Sequence, residues 1–415
     1  MGYQQGLSGL AGAANDLDVI GNNIANANTT GFKQGQAQFA DVYANSVATA
    51  VNTQIGLGTR LAQVQQQFSE GQISVTNQAL DVAINGNGFY QMSNNGSLTY
   101  SRNGVFQLDK NGYIVSSDGL QLMGYAANAG GVINTAQTVP LQLPTGNIPP
   151  VATKTITAGL NLNAQDPAVA AGTTLDPTNK STYSYTTSTQ VYDSLGGSQQ
   201  VNMYFVKSAT GSWDVYAGAA SGGTPSKIGT ATFDTSGNLT GTTTGTPPVA
   251  TNPPLTFSFS IPNTDGSATP QTIQLGIAGT TQFGSTDGVT KMQPDGYAAG
   301  TLTNFTVGTD GTLTGNYSNG QTQALGQIVL ANFSNQNGLV SLGGNQYAAT
   351  ASSGVAQISA PGSTNHGTLQ GGALEGSNVD LTSELVNLIT AQRNYQANAQ
   401  TIKTQQTVDN TLINL

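Results

Sequence analysis

Near the start of the chain, Leu7, Leu10, Ala14, Leu17, Gly21 and Ile24 recur at alternating steps of three and four residues. That spacing sets small and apolar side chains along one stripe of a helix. The chain closes on the same rhythm with Leu381, Leu385, Leu388, Gln392, Tyr395, Ala399 and Ile402, and a change of phase carries the stripe through Val408 and Leu412 to Leu415. Both ends are expected to be helices of coiled-coil character. Termini usually fray and carry polar residues unless something ties them down, so the two stripes call for a cover. Either the ends pair with each other in an intramolecular two-helix hairpin, or they pack against neighbouring copies, and the second is the expectation carried forward. The periodicity by itself predicts helices and burial, not function.

Asn22, Asn23, Asn26 and Asn28 are poor helix-interior residues, and Thr29, Thr30 and Gly31 supply a turn before Phe32 and Lys33, so the first helix is expected to stop near Asn26. The helical layer is then residues 1–26 and 381–415, joined to the remainder by connectors over 27–72 and 367–380. Within the first connector, Phe39, Val42, Tyr43 and Val47 have the spacing of a short helix, Gly56 and Gly58 mark a bend, and Gln63–Gln67 reads as an extended edge.

From Ile73 the hydrophobic period falls to two. Turn signals follow at Asn85-Gly86, Asn95-Gly96, Asn103-Gly104, Asn111-Gly112 and Asp118-Gly119, and again at Asp310-Gly311, Asn319-Gly320 and Asn337-Gly338. Such pairs adopt the positive φ of tight hairpin turns, which predicts one antiparallel β domain over 73–147 and 297–366. Between its halves, residues 148–296 read as a second β domain, flanked by Pro144, Pro149, Pro150 and Pro294. There Leu255, Phe257, Phe259 and Ile261 alternate cleanly with polar residues, as do Ile273, Leu275 and Ile277, and more weakly Trp213, Val215 and Ala217. The Ser-Gly-Thr-Pro tracts at 218–226 and 241–254 read as loops. The fold class expected is mixed and mainly β: two nested β domains, the second inserted in the first, with terminal helices as a coiled-coil-like inner layer.

Composition narrows the chemistry. Only 7% of residues are charged and the net charge is −9, which argues against nucleic acid and anionic membrane as partners. Cysteine is absent, so there is no disulfide framework, thiolate nucleophile or Cys-based metal site. No apolar run is long enough to span a bilayer, and Asp16 and Asp18 interrupt any secretory-signal-like block, so export is expected to use a route without a cleaved signal. The single histidine, His366, lies in a loop-like GSTNHGTLQGG and has no second His or Cys to share a metal or a triad. Asp81, Asp109, Asp118 and Asp310 all sit beside turns, where Asp serves turn geometry. Asp109-Lys110-Asn111-Gly112 lacks the alternating acids and final Glu of a calcium loop, and INGNGF at 84–89 precedes a strand rather than a helix, unlike a phosphate cradle. No catalytic, metal or cofactor site is expected, and no enzyme.

The opening LSGLAGAANDLDVIGNNIANANTTGFK resembles the shared N-terminal signature of bacterial flagellar rod and hook axial proteins, with Asn22, Asn23, Ile24, Ala25, Asn26, Thr30, Gly31, Phe32 and Lys33 at the motif positions. GNGFYQMSNNGSLTYSRNGVFQLDKNGYIVSSDGLQLMGY at 86–125 is similar to the family's β module, and the stretch from Leu374 to Leu415 to its common C-terminal helix. Together these cover roughly the outer half of the chain, and 148–296 carries no motif that can be placed. The length and the large insert favour the hook branch over shorter rod subunits. The resemblance implies a structural subunit of an extracellular flagellar hook, exported by the flagellar type III apparatus. It would polymerise with itself into a curved tube that transmits torque, flanked by distal rod, hook cap and hook-filament junction. The assembly interface would then comprise Leu7, Leu10, Ala14, Leu17, Ile24, Leu381, Leu385, Leu388, Tyr395, Ile402, Leu412 and Leu415. A distal rod subunit and a secreted β-rich adhesin are the alternatives.

Overall fold

The computed structural model describes residues 2–42, 56–144, 146–221, 224–244, 249–251, 255–263 and 265–413. Helix α1 spans Gly2–Ala25 and stops in its asparagines. The Asn26 side chain donates back to the Asn22 carbonyl at 2.9 Å, competing with helix continuation, and two turns then lead to Gly31 at φ +70°. Helix α2 spans Leu381–Ile413. Asp380 caps it by accepting the backbone N–H groups of Thr382 (2.9 Å) and Ser383 (3.2 Å), which satisfies donors that an uncapped helix leaves free.

After α1 the chain forms an antiparallel pair, β1 (Gly35–Val42) and β2 (Gly58–Gln66). The short helix expected at 39–47 is therefore not formed over its first part: Phe39 and Val42 lie in β1, and Tyr43 and Val47 fall outside the described residues. Their helix-like spacing loses to cross-strand pairing, in which amides of Gln38, Gln63 and Gln65 hydrogen-bond across the ladder and Gln67 donates to Gln36 at 3.1 Å.

The chain divides into two compact units, one of residues 1–145, 304–316 and 322–415, the other of 146–303 and 317–321. In the first, β3 (Ile73–Val75), β4 (Val82–Asn85), β5 (Phe89–Asn94), β6 (Ser97–Ser101), β7 (Phe106–Leu108), β8 (Ile114–Ser116) and β9 (Gln121–Ala126) follow α1 and the β1–β2 pair. Hairpins form at Asn95-Gly96, Asn111-Gly112 and Asp118-Gly119, with Gly96, Gly112 and Gly119 at positive φ. Asn85-Gly86 and Asn103-Gly104 do not join paired strands. Instead β4 pairs with Thr368–Gly371 and β3 with Ala373–Glu375, so the early strands are completed by late ones. Asn337-Gly338 lies in a 3-10 turn rather than a hairpin. Strand Thr322–Ile328 pairs with β9, and Leu330–Asn332 with β5. The core holds Ile84, Tyr90, Met92, Leu122, Ile328 and Leu330, beside an aromatic cluster in which Phe68 meets Phe89 edge-on at 5.3 Å.

The second unit has a four-stranded sheet (Thr155–Asn161, Thr256–Ile261, Gln271–Gly276, Gly288–Pro294) and a six-stranded antiparallel sheet that starts at Tyr185–Tyr192. Trp213, Val215, Phe257, Ile261, Ile273 and Leu275 share one core between the sheets, as the period-two alternation predicts. The tract at 241–254 is not simply loop: Leu239–Thr244 and Val249–Thr251 are strands, because threonine's branched Cβ suits a pleated surface whatever the polarity of its hydroxyl. His366 is half-buried in a turn, its ring nitrogens 3.3 Å from the Ser363 carbonyl and 3.0 Å from that of Gln357.

Candidate functional site: the terminal helices and their joint

The helices pair within one chain, in antiparallel register. The packed face of α1, against α2 and the β1–β2 pair, is Gly6, Gly9, Gly12, Ala13, Ile20 and Asn23, which is not the apolar stripe singled out in the sequence. A Cβ at Gly6 would meet Ile402 Cγ1 at 3.0 Å, one at Gly9 would meet Asn398 Oδ1 at 2.6 Å, and one at Gly12 would meet Thr59 Cγ2 of β2 at 3.3 Å. Small residues at three-residue steps let the helices and the β1–β2 pair approach closely, and along α2 the matching positions are Glu384, Leu388, Ala391, Asn398 and Ile402.

The sequence-derived stripe lies on a neighbouring face. Leu7 remains 51% exposed, while Leu10, Ala14, Leu17 and Ile24 are half-buried. On α2, Leu381 and Leu385 are 47% and 45% exposed, Val386, Ile389 and Tyr395 are also exposed, and Leu388 and Ile402 are half-buried, Ile402 against Gly6. The Leu412 side chain and Leu415 lie outside the described residues. Pairing of the helices thus covers mainly Gly, Ala and Asn together with Ile20, and leaves Leu7, Leu381, Leu385, Val386, Ile389 and Tyr395 open.

Below the helices, the Asn-rich motif builds a joint. The buried Asn23 amide donates to the Gly35 carbonyl (2.8 Å) and accepts from the Gly35 N–H (2.9 Å), stitching α1 to β1. Gly31 N–H reaches the Glu375 carbonyl at 2.9 Å, and a Cβ there would lie 2.7 Å from Asn103 N. Asn345 donates to the Thr30 carbonyl at 2.9 Å. Asn22 is exposed, and Phe32 and Asn26 are half-buried.

Lys33 is fully buried and pairs with the equally buried Glu375 at 2.6 Å. Arg102 clasps the same carboxylate through Nε (3.1 Å) and Nη2 (3.2 Å) and donates to the carbonyls of Gly86 and Gly88. Lys33 Nζ also donates to the Ser69 carbonyl at 2.7 Å, and Gly71 N–H to Glu375 at 3.0 Å. Burial pushes the Glu375 carboxyl up, but the charges of Arg102 and Lys33 and their hydrogen bonds outweigh it and hold the group below its ordinary value. Burial, together with the Arg102 charge, lowers Lys33, as expected where two cations share one anion. Asn378 adds a strap, accepting from Gln34 N–H (2.7 Å) and donating to the Gln67 carbonyl (2.7 Å). Arg102, Glu375 and Asn378 were not singled out from the sequence. The available signal was scarcity: in a chain with 7% charge, a charged residue inside a strand pattern is conspicuous.

Four family models match the chain in order. They are "Flagella basal body rod protein" over residues 4–33, "Flagellar hook protein FlgE/F/G D1 domain" over 83–159, "Flagellar basal body protein FlaE D2 domain" over 161–297, and "Flagellar basal body rod FlgEFG protein C-terminal" over 370–415. The helix pair, its Asn-rich joint and the nested β units therefore define an axial protein of the bacterial flagellum. The flagellar hook protein FlgE of Escherichia coli is 43% identical over 426 residues, with all of both chains covered, and that of Treponema pallidum is 34% identical over 457 residues, covering 99% of this chain and 98% of the other. The chain belongs to the flagellar hook protein FlgE family. Its fold is similar to the crystal structure of Helicobacter pylori hook protein FlgE2, with TM-score 0.51 at 13% identity over 72% of this chain and 99% of that one.

Proposed function

We propose that the protein is the structural subunit of the flagellar hook, polymerising with copies of itself into a curved, flexible tube that passes torque from the rod to the filament. Family membership supports the hook role, and the hook family implies a polymer of like subunits. The observation that carries the assembly mechanism is the helix pair: α1 and α2 are packed in a single chain and still expose Leu7, Leu381, Leu385 and Ile389. A neighbour's helices would cover these residues at about 25 cal/mol per Å² of apolar surface removed from water, coupling assembly to burial. The two readings of the terminal stripes thus combine, with an intramolecular seam of small residues and an intermolecular face of large ones.

The low charge supports the bending role. Exposed contacts between Thr, Asn and Gly surfaces exchange at small cost, whereas fixed ionic networks would resist sliding. By the same family reading, the distal rod, hook cap, hook-filament junction and type III export apparatus are the further partners. Among the described residues no helix is long and apolar enough to cross a membrane.

Electron microscopy of the full-length protein under polymerising conditions, beside a core of residues 71–367, tests the reading. Curved tubes from the full chain alone are expected. Straight tubes would favour a rod subunit, and no polymer from either would overturn the assembly mechanism.

A further inference from the structure

Between the lower half of α1, the start of β1 and the first turns of α2 lies a pocket of about 320 Å³. It is lined by Asp16, Asn23, Gln34, Glu384, Asn387 and Thr390, among others. Glu384 is only 2% exposed. One of its carboxylate oxygens accepts from Gln34 Nε2, and the other, Oε2, is buried with no hydrogen-bond partner. Asp16 forms no ion pair among the described residues either. A buried carboxylate oxygen without a donor carries its full desolvation cost, so a donor brought into the pocket from outside the described residues would relieve it.

The size and donor set decide the kind of cation. No group of three or more acidic or other metal-binding residues exists among the described residues, so a divalent ion would find few ligands. The volume is instead in the range of sites that take an organic group. A planar guanidinium, with five N–H donors, suits the Glu384 carboxylate and the amide oxygens beside it, with Asp16 adding negative charge to the same pocket.

Arg393 is exposed on α2 and makes no ion pair among the described residues. It lies nine residues beyond Glu384, which at roughly 100° per residue is about half a turn away on the opposite face of α2. It cannot reach its own pocket. We propose that the pocket formed by Asp16 and Glu384 receives the Arg393 side chain of a second copy of the chain. Donor and receptor on opposite faces of one helix make a heterologous contact, which runs on from copy to copy as a ring or an open helical array rather than closing as a two-fold dimer.

This inference rests on the polymer reading, and the test separates the two. Critical concentrations for polymerisation are measured by sedimentation for the full-length wild type, R393A, E384Q, the double variant R393A/E384Q and the control K403A, with monomer melting followed by circular dichroism. We expect R393A to melt as wild type and raise the critical concentration about tenfold or more, the scale of a charge-assisted hydrogen bond. We expect the double variant to be no worse than the more affected single one, and K403A to polymerise as wild type. Polymerisation of R393A at the wild-type concentration, additive effects in the double variant, or a loss in K403A that R393A lacks would each overturn the assignment. So would polymerisation that chelator abolishes and calcium or magnesium restores, which would assign a metal ion instead. A wild type that forms no polymer at all would overturn the hook reading and this contact with it.

Discussion

Glu375 neutralises two buried cations at once, and the cost of losing it follows from that arithmetic. Glu375→Gln leaves Lys33 and Arg102 without a counter-charge, and breaking a buried pair costs about 3–5 kcal/mol, so urea unfolding of the variant should shift to clearly lower midpoint. An unchanged midpoint would show that water already compensates the cations. The same residue sets an acid limit. Its folded-state value is depressed from 4.5, so the unfolded chain takes up the proton first as pH falls. The stabilisation is complete above the ordinary glutamate range and is lost as pH drops through the folded value. Stability measured against pH should therefore fall below about 4.5, and Glu375→Gln should lack that part of the slope. Gly31 is a separate constraint: at φ +70°, with backbone 2.7 Å from where a Cβ would stand, Gly31→Ala combines left-handed strain of about 1–2 kcal/mol with a clash that only a backbone shift relieves. Its melting temperature should fall accordingly, and an unaltered one would mean that the joint yields freely.

At the scale of elements, the two faces of α1 make opposite predictions. The seam face is overpacked by any larger side chain. Gly9→Leu should cost about 1–3 kcal/mol and lower the melting of the monomer's helical signal, because Asn398 already fills the space where a Cβ would go. The open face behaves otherwise. Leu7→Ser with Leu385→Ser removes apolar groups that are about half exposed, so the monomer should lose only about 1–3 kcal/mol and still fold, while polymerisation monitored by light scattering should fail. Should the double variant polymerise normally, the exposed stripes would not be the assembly face. Helix α2 shows why such a cover matters. Thr390, Thr401, Thr404, Thr407 and Thr411 all bond back to their own helix, four residues earlier, a pattern that weakens rather than strengthens an exposed helix.

For the whole molecule, the two units carry separable reporters. Trp213 is the only tryptophan and is fully buried in the sandwich core of the second unit, whereas α1 and α2 both belong to the first. Each unit encloses its own core, so thermal unfolding followed by tryptophan fluorescence and by the far-ultraviolet helical signal should give transitions that do not coincide. Superimposable curves would mean that the nested units unfold as one cooperative block.

What is local and periodic can be read along the chain. The terminal helices, the asparagine stop, the Asn95-Gly96, Asn111-Gly112 and Asp118-Gly119 hairpins and the alternating core of Phe257, Ile261, Ile273 and Leu275 were legible, because each depends on side chains a few residues apart. Whatever requires distant partners emerges only in the folded chain. Periodicity marks apolar stripes but not which face a neighbour takes, so the helix pair closes on Gly6 and Gly9 rather than on the leucines. It marks strands but not their mates, so β4 pairs with Thr368–Gly371 instead of turning into β5 at Asn85-Gly86. The Lys33–Glu375–Arg102 joint and the Glu384 pocket were hidden for the same reason. Charges hundreds of residues apart meet only after the chain's ends have been brought together, and no pattern along the chain encodes that meeting.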